Sequence, residues 1–461
     1  MSLKPSIPKG TRDFSAKELA KRNYLKIILK NAFESFAFEP LETPSFEKTS
    51  TLTGKYGEEG DRLIFKILNS GEKLKKADLK SLKNNNLKKF SNSLSEKALR
   101  YDLTVPFARY VSSHQNDLIF PYRRYQIQNV WRADRPQYGR FQEFCQCDAD
   151  IVGDKSLWQE VEMISLCDRV FNDLKLTGAT IKINHRNIIE GICKLMGEEA
   201  NLIDFTIAVD KYHKVGLKGV EKELIDKGFS EKAINKIKPI IGLKGSALGV
   251  LKKIESIFNE NGIEIKGVDD LRFIFNIIDK NNLKSTKLSL DLTLARGLNY
   301  YTGMIIEVLP PDSFKIGSIG GGGRYDDLTS SFGMKKTSGI GFSFGFDRIF
   351  LVLDELNLFP ENISKNSKIL FLNFNSKCTE IAYKCLDKLR SKNIVSELYP
   401  SQVKLSKQLS YANKKKIPFV VIIGDEEIEK NQFVLKDMIS GNQISKPIAN
   451  LFKILVDISH F

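Results

Sequence analysis

The spacing of apolar residues along the chain predicts alternating helical and extended regions. Ser15 and Glu18 are spaced as in a capping box, and the residues after them predict an amphipathic helix that ends near Ser35. Residues 157–175 carry apolar residues at helical spacing, and roughly residues 195–285 form a lysine-rich, mostly helical block. Residues 99–153 instead contain short strand-like runs rich in arginine and aromatic residues. Such runs indicate an antiparallel sheet with one polar, functional face.

Shorter patterns predict further strands and loops before residue 360. Strand-like runs occupy residues 64–68, 287–291 and 304–309, and residues 338–353 pass from a strand into a helix. Residues 71–96 are rich in Lys, Asn and Ser, which predicts a mobile surface excursion. Four consecutive glycines, Gly320–Gly323, predict a loop whose backbone approaches a pocket, and a simple flexible turn is the alternative.

The pattern changes after Pro360. Strands and helices then alternate, which indicates a separate, small α/β domain with a largely parallel sheet. We predict strands at 368–374, 394–399, 418–423 and 432–439, and helices at 377–392, 403–415 and near 444–455. The predicted organisation is an α+β domain in two parts (1–195 and 287–360), a mostly helical insertion (196–286) and a C-terminal α/β domain (366–461).

The composition limits the classes of protein to which this chain can belong. The 461 residues are 42% hydrophobic and 28% charged, as in ordinary globular proteins, and the longest apolar runs are too short to span a bilayer. The N-terminal residues have no hydrophobic segment of the secretory kind. A net charge of +15 suits an anionic partner such as nucleic acid. A coding bias towards A and T would also enrich Lys, Asn and Ile.

The six cysteines are scattered, and Cys145 and Cys147 have neither the spacing of a metal site nor a second Cys/His pair. We therefore expect reduced thiols in a cytoplasmic protein, and no zinc.

Three arginine-bearing segments carry the candidate chemistry. Arg132 follows a strand-like run, Arg296 shortly precedes two adjacent tyrosines, and Arg348 opens a helical run. A period of two places Gln146, Asp148 and Asp150 on one strand face, and Cys145 and Cys147 on the other. Because two carboxylates and an amide are costly to bury, this face is expected to meet water or bind a ligand. Arg132 suits a phosphate contact and Phe144 a stacking platform, with plain core packing as the alternative for Phe144.

These segments resemble the ordered motifs of class II aminoacyl-tRNA synthetases. The predicted first helix together with residues 39–44, which follow it, is similar to motif 1. Arg132 to Asp148 is similar to motif 2, and Gly339 to Arg348 to motif 3. Leu294-Ala-Arg296-Gly-Leu-Asn-Tyr300-Tyr301-Thr-Gly303 and Gly320-Gly-Gly-Gly-Arg324-Tyr325-Asp326 resemble the two signatures of the histidyl-tRNA synthetase family. Arg100-Tyr101-Asp102-Leu103-Thr104 matches a further block of that family. The resemblance covers essentially the whole chain, although Asn299 replaces the usual aspartate.

The resemblance implies roles for individual residues. Arg132, Arg296 and Arg348 would be catalytic, and ATP would be bound by Arg132, Asp134, Phe144 and Arg348. Asp134 has the alternative of only bracing Arg140 or Arg132. The implied histidine-binding set is Asp102, Leu103, Thr104, Gln146, Asp150, Arg296, Tyr300, Tyr301 and Tyr325. Of the two adjacent tyrosines, Tyr301 is the preferred contact.

The resemblance also implies the reaction and the partners. L-Histidine would be activated with ATP and Mg²⁺ to histidyl-adenylate and then transferred to the 3′ end of tRNA(His). The enzyme would be a homodimer formed through motif 1, with an antiparallel catalytic sheet flanked by helices and a C-terminal domain that binds the anticodon. Two alternatives are a histidine-sensing regulatory subunit with the same fold and a non-catalytic tRNA-binding module. The presence of Arg132, Arg296 and Arg348 argues against both, because sensing requires no transition-state stabilisation. The C-terminal domain argues further against the regulatory subunit, which usually lacks it.

Overall fold

The computed structural model divides the chain into two compact units, Met1–Phe359 and Pro360–Phe461. It describes residues 4–54, 57–197, 201–296, 301–314, 316–326, 328–335, 337–361, 363 and 367–459. Among the described residues, no helix combines the length and apolar character needed to cross a bilayer.

Eleven strands are described in the first unit, and eight of them form one large sheet. The strands are β1 (Glu39–Pro40), β2 (Phe46–Lys48), β3 (Lys66–Ile67), β4 (Lys97–Leu99), β5 (Tyr122–Trp131), β6 (Glu143–Val152), β7 (Ala179–His185), β8 (Thr286–Leu290), β9 (Met304–Leu309), β10 (Gly320–Tyr325) and β11 (Gly339–Phe344). The large sheet has the order β1-β5-β6-β11-β10-β9-β7-β8. Its six central strands are antiparallel, as predicted, whereas the outermost pairs β1–β5 and β7–β8 are parallel.

Fourteen helices accompany these strands in the described part of the first unit. They are α1 (Ala16–Ser35), α2 (Thr49–Leu52), α3 (Gly57–Arg62), α4 (Leu79–Lys83), α5 (Leu87–Ser93), α6 (Thr104–Ser113), α7 (Trp158–Asp173), α8 (Arg186–Met196), α9 (Leu202–Val209), α10 (Tyr212–Asp226), α11 (Glu231–Ile241), α12 (Ala247–Glu260), α13 (Lys266–Asn281) and α14 (Phe346–Glu355). The helical block predicted from about residue 195 begins earlier, at Arg186, because the His185 ring accepts a hydrogen bond from the Asn187 amide and caps α8.

Helix α1 confirms the capping-box prediction. The Ser15 hydroxyl accepts a hydrogen bond from the Glu18 amide, and the Glu18 carboxylate accepts one from the Ser15 amide. At the other end of the helix, the Phe33 ring is buried and lies 5.2 Å from the Tyr125 ring and 5.7 Å from the Phe344 ring. The helix is thereby packed onto β5 and β11 near the centre of the sheet.

The excursion predicted at residues 71–96 contains short helices, which its composition alone did not indicate. It contains a 3₁₀ turn (Gly71–Lys76) followed by α4 and α5. Asp78 and Asn86 cap the two helices by accepting hydrogen bonds from backbone amides. The excursion connects β3 to β4 in a three-stranded sheet of order β2-β4-β3.

The glycine run is a strand and not a loop, because Gly320–Gly323 begin the central strand β10. The predicted approach of its backbone to a pocket is confirmed, since Gly320, Gly321 and Gly322 line a cavity. A Cβ atom on Gly322 would lie 2.1 Å from the Gly341 carbonyl oxygen, and one on Gly320 would lie 2.5 Å from the Phe342 ring. Side chains at these two positions would therefore separate β10 from β11, and glycine is required by close packing within the sheet.

The second unit has a five-stranded sheet of order β13-β12-β14-β15-β16. Its elements are β12 (Ile369–Phe371), α15 (Ser376–Ser391), β13 (Ser396–Leu398), α16 (Leu405–Lys415), β14 (Phe419–Ile422), α17 (Asp425–Glu429), β15 (Gln432–Asp437), β16 (Gln443–Pro447) and α18 (Leu451–Ser459). The strands β13, β12 and β14 are parallel, and β15 and β16 are antiparallel additions. The helix predicted near 444–455 is therefore partly wrong, because its first residues form the exposed edge strand β16.

Candidate functional site

Two adjoining cavities open on one face of the large sheet. The larger has a volume of about 420 Å³ and lies among β6, β9, β10, β11 and the segment after β5. The smaller has a volume of about 130 Å³ and is more polar. Five residues line both cavities: Arg132, Gln146, Tyr301, Gly321 and Ser343. The two spaces are therefore neighbouring parts of one site.

Four arginines surround the larger cavity: Arg132, Arg140, Arg296 and Arg348. Arg132 donates from Nε to the Tyr101 carbonyl oxygen at 3.0 Å, and its guanidinium lies 5.2 Å from the centre of the Phe144 ring. Arg348 is fixed by donating to the carbonyl oxygens of Ser318 and Gly139. Fixed guanidinium groups around a cavity are suited to hold a polyanion.

The electrostatic environment of Arg348 supports that interpretation. Burial lowers the pKa of its guanidinium, and the positive charges of Arg140 and Arg296 lower it further. The nearby carboxylate of Glu307 acts in the opposite direction. An anion between these arginines would relieve their mutual repulsion.

Arg296 is half-exposed and lies between two carboxylates. Its Nη1 is 2.6 Å from Glu307 Oε1, and its Nε is 3.8 Å from Asp210 Oδ1. Burial raises the pKa of Glu307, while the positive charge of Arg296 opposes this shift. The guanidinium is thus held at the cavity wall by carboxylates from β9 and from the chain that follows α9.

Asp134 lies at the wall of the larger cavity and pairs with Arg140 at 3.4 Å. This contact agrees with the alternative in which Asp134 braces Arg140. Phe144 also lines the cavity, although it stays partly exposed beside Arg132.

The smaller cavity brings together six predicted residues: Asp102, Thr104, Gln146, Asp150, Tyr301 and Tyr325. Asp148 joins them. Asp150 is held from two sides, because its Oδ1 accepts a hydrogen bond of 2.6 Å from the Tyr325 hydroxyl and its Oδ2 lies 2.8 Å from Arg124 Nη2. The predicted polar face of β6 therefore forms the floor of a ligand-sized space.

Two buried oxygens on this floor, Asp148 Oδ1 and Gln146 Oε1, accept no hydrogen bond from the described residues. Burial raises the pKa of Asp148 to about 7, the positive charge of Arg124 opposes the shift, and the negative charge of Asp150 adds to it. A buried acceptor without a donor is costly, so a ligand that carries N–H groups would satisfy both.

Two predicted residues are not placed in the cavities. The side chain of Leu103 is fully buried before α6 and lines neither space. Tyr300, like Asn299, lies outside the described residues.

Three residues that contribute to the site were missed: Arg124, Glu307 and Ser343. Arg124 lies directly opposite Asp150 in the β5–β6 register. Its position two residues before Gln126 was an available signal, because both continue a polar face of β5.

Comparisons with known proteins agree with this geometry. A histidyl-tRNA synthetase family model matches residues 10–349, and an anticodon-binding domain model matches residues 366–458. The chain is 58% identical over 443 residues to the histidine–tRNA ligase of Christiangramia forsetii, covering 96% of this chain and 97% of that protein. It is 52% identical over 474 residues to that of Flavobacterium johnsoniae, covering 99% and 100%. The crystal structure of histidyl-tRNA synthetase from Nostoc sp. PCC 7120 matches with a TM-score of 0.78 and 27% identity over 99% and 100% of the two chains.

The fold and the site define a class II aminoacyl-tRNA synthetase. Within that class, the chain belongs to the histidyl-tRNA synthetase family. The family's activity, the ATP-dependent ligation of histidine to tRNA, is the function that these findings give the chain. A regulatory subunit with the same fold is not supported, since the relatives named as ligases match over almost their full lengths.

Proposed function

We propose that the two cavities separate the two substrates of histidine activation. ATP occupies the larger cavity and L-histidine the smaller one, and they meet where Arg132 and Gln146 line both. The histidine carboxylate then attacks the α-phosphorus of ATP, and pyrophosphate leaves. The reaction needs alignment and charge neutralisation more than covalent help from protein groups. The observation that carries the proposal is the ring of four arginines beside a cavity floored by carboxylates.

On the ATP side, Arg132 and Arg296 contact the α-phosphate and Arg348 the distal phosphates. Phe144 stacks on adenine, and Asp134 maintains the direction of Arg140 through their ion pair. Several guanidinium groups can follow negative charge as it moves from the α-phosphate to the leaving pyrophosphate. Mg²⁺ binds with the nucleotide, and the carboxylate of Glu307 at the cavity wall offers the oxygen ligand that this cation prefers.

On the histidine side, Asp102, Thr104 and Gln146 bind the α-amino group. The unpaired Gln146 Oε1 at the cavity floor is a suitable acceptor for an ammonium donor. Asp150 and Tyr301 contact the imidazole, and Tyr325 orients Asp150 through their hydrogen bond. Because a site built from buried polar groups rejects apolar amino acids by about 10⁴-fold or more, no editing domain is required.

We propose that zinc has no part in this chemistry. Among the described residues, no group of three or more His, Cys, Asp or Glu side chains is placed so that it could hold a metal ion. All six cysteines are unpaired, which suits a reducing cytoplasm.

We further propose a homodimer formed through the motif 1 region, which is helix α1 and residues 39–44 after it. The strand β1 lies at the edge of the large sheet, and its two residues are exposed. An edge strand with an exposed backbone is a natural surface for association with a second copy.

The domain roles follow the predicted boundaries. Residues 1–195 and 287–360 carry catalysis, residues 196–286 contact the tRNA as a helical insertion, and residues 366–461 bind the anticodon of tRNA(His). In that last domain, basic loops would contact phosphates while exposed bases stack on side chains.

Histidine-dependent exchange between ATP and pyrophosphate tests the central proposal, with the other amino acids as controls. Exchange with histidine alone is the expected result. Histidine binding without exchange would indicate a sensor, and exchange with another amino acid would overturn the imidazole pocket while leaving the class assignment intact.

A further inference from the structure

The segment of residues 71–96, named here the lysine arm, carries a concentrated positive surface. It contains seven lysines and only three acidic residues, Glu72, Asp78 and Glu96. Lys73, Lys75 and Lys89 pair with these three carboxylates. The other four lysines are exposed and form no ion pair with the described residues. They are Lys76, Lys80, Lys83 and Lys88. The arm therefore presents about four positive charges that form no ion pair within the described part of the chain.

These lysines are displayed by an ordered scaffold. Caps at Asp78 and Asn86 fix α4 and α5, and the Ser93 hydroxyl accepts a hydrogen bond from the Asp78 amide between them. The base of the arm is closed where the Asn69 amide donates to the Leu94 carbonyl oxygen at 2.8 Å. A charged surface held in this way loses less conformational entropy on binding than a disordered basic tail.

The exposed turn between α4 and α5 adds neutral donors to the charge. It consists of three consecutive asparagines, Asn84–Asn86. Amide groups and lysine ammonium groups together are common contacts to phosphate oxygens.

The arm is rooted beside the catalytic site. Just before β3, the Leu63 carbonyl oxygen accepts a 2.9 Å hydrogen bond from the Ala133 amide, the residue after Arg132. After β4, the chain continues directly to Asp102 at the smaller cavity. A tRNA whose 3′ end reaches these cavities would have its last base pairs near the two ends of the arm.

We propose that the lysine arm binds the phosphate backbone of the tRNA duplex that leads to the 3′ end, without reading its sequence. The inference rests on the proposed charging of tRNA. The exposed leucines of the arm, Leu74, Leu79, Leu82 and Leu87, would suit a protein partner instead. The four unneutralised charges and the asparagine turn favour RNA, because its backbone supplies regularly spaced anions.

The test replaces all four lysines by alanine in the full-length chain (K76A/K80A/K83A/K88A). A matched variant with arginine at the same positions retains the charge. The alanine variant is expected to weaken tRNA binding at least about tenfold and to lower the slope of log K against log salt concentration by roughly 2–4. The arginine variant is expected to bind like the unmodified chain.

Histidine-dependent pyrophosphate exchange, measured without tRNA, separates this inference from the proposed function. Unchanged exchange with weakened, less salt-dependent tRNA binding supports the arm as a backbone contact. Unchanged exchange with unchanged tRNA binding overturns it, and would be the result if the arm served a protein partner. Equal weakening in the arginine variant also overturns it, because the effect would then not depend on charge. Absence of exchange in the unmodified chain would count against the proposed function.

Discussion

The hydroxyl group of Tyr325 donates a 2.6 Å hydrogen bond to Asp150, a residue 175 positions earlier in the chain. Both residues are buried, with 2% of each exposed. The second oxygen of Asp150 lies 2.8 Å from Arg124, its cross-strand neighbour. A carboxylate held by a hydroxyl on one side and a guanidinium on the other cannot rotate freely. Its orientation towards the smaller cavity is therefore set before any ligand binds.

Removal of that hydroxyl should affect histidine more than ATP. Tyr325→Phe leaves a buried carboxylate without one donor, a loss typically worth about 1–3 kcal/mol. We expect KM for histidine to rise roughly tenfold and KM for ATP to stay within about twofold in pyrophosphate exchange. Tyr138→Phe, at an exposed tyrosine that lines neither cavity, is the matched control. An equal rise in both KM values would indicate general damage to the site.

Arg296 should contribute to the transition state. Arg296→Ala is expected to lower the rate of adenylate formation by roughly 10²–10⁴-fold, because a charged donor near the reacting phosphate is lost. Arg296→Lys should recover only part of the rate, since lysine lacks the planar fork. Arg272, which is also paired with two carboxylates, lies on α13 and lines neither cavity, so Arg272→Ala is the control. Near-normal exchange in Arg296→Ala would remove this residue from the mechanism.

Asp148 should make stability depend on pH. Burial raises its pKa from 3.8 to about 7 in the folded state, so between these values the folded chain holds a proton that the unfolded chain releases. The contribution to the free energy of unfolding is present at low pH and is lost as pH rises towards 7. Asp148→Asn mimics the protonated form. Relative to this variant, the free energy of unfolding of the unmodified chain should fall by up to about 3 kcal/mol between about pH 5 and pH 7.5.

Urea unfolding of both chains at the two pH values provides the measurement. Asp148→Asn should be less sensitive to pH than the unmodified chain. Parallel pH profiles for the two chains would show that Asp148 is ionised throughout this range.

The glycines of β10 should differ in their tolerance of a methyl group. On Gly322 it would lie 2.1 Å from the Gly341 carbonyl oxygen and 2.8 Å from the Phe342 Cα atom, and neither backbone can move without breaking the sheet. Gly322→Ala should therefore destabilise the fold by about 3 kcal/mol. The nearest atom to a methyl on Gly321 is the Ile306 carbonyl oxygen at 3.5 Å. Gly321→Ala should retain stability but raise KM for both ATP and histidine, because Gly321 lines both cavities.

Thermal unfolding and pyrophosphate exchange of the two glycine variants check this contrast. If both variants lost similar stability, the expected difference between Gly322, which is close to β11, and Gly321, which is not, would be contradicted.

Local signals in the sequence predicted the elements whose cause is local. The Ser15–Glu18 capping box defines where α1 begins, and the alternation of Gln146, Asp148 and Asp150 predicts the polar face of β6. The glycine run was correctly placed beside a pocket but wrongly assigned to a loop, because the reason for its glycines is distant, in the atoms of β11. For the same reason, the partnership of Arg124 with Asp150 depends on strand register, which no short pattern fixes.

Residues 71–96 show a second kind of limit. Their polar composition predicts a mobile surface excursion and indicates no helix, yet caps at Asp78 and Asn86 begin two short helices. Composition averages over a segment, whereas a cap acts at one residue. The exposure of the segment was predictable from composition, and its two helices were not.

The division of the chain into two compact units predicts that activation and charging can be separated. Residues 366–461 fall within the second unit, and the two cavities are built from residues of the first. Deleting residues 366–461 should leave histidine-dependent exchange within about threefold of the full chain. Charging of tRNA(His) should fall by roughly 100-fold or more, because the tRNA loses one of two linked contacts and with it a high effective concentration at the site. Circular dichroism of the shortened chain establishes that the first unit stays folded, and a tRNA with an altered anticodon, charged by the full chain, should reproduce much of the defect. Equal loss of exchange and charging in a folded, shortened chain would contradict this division of labour, because the second unit would then be needed for the chemistry itself.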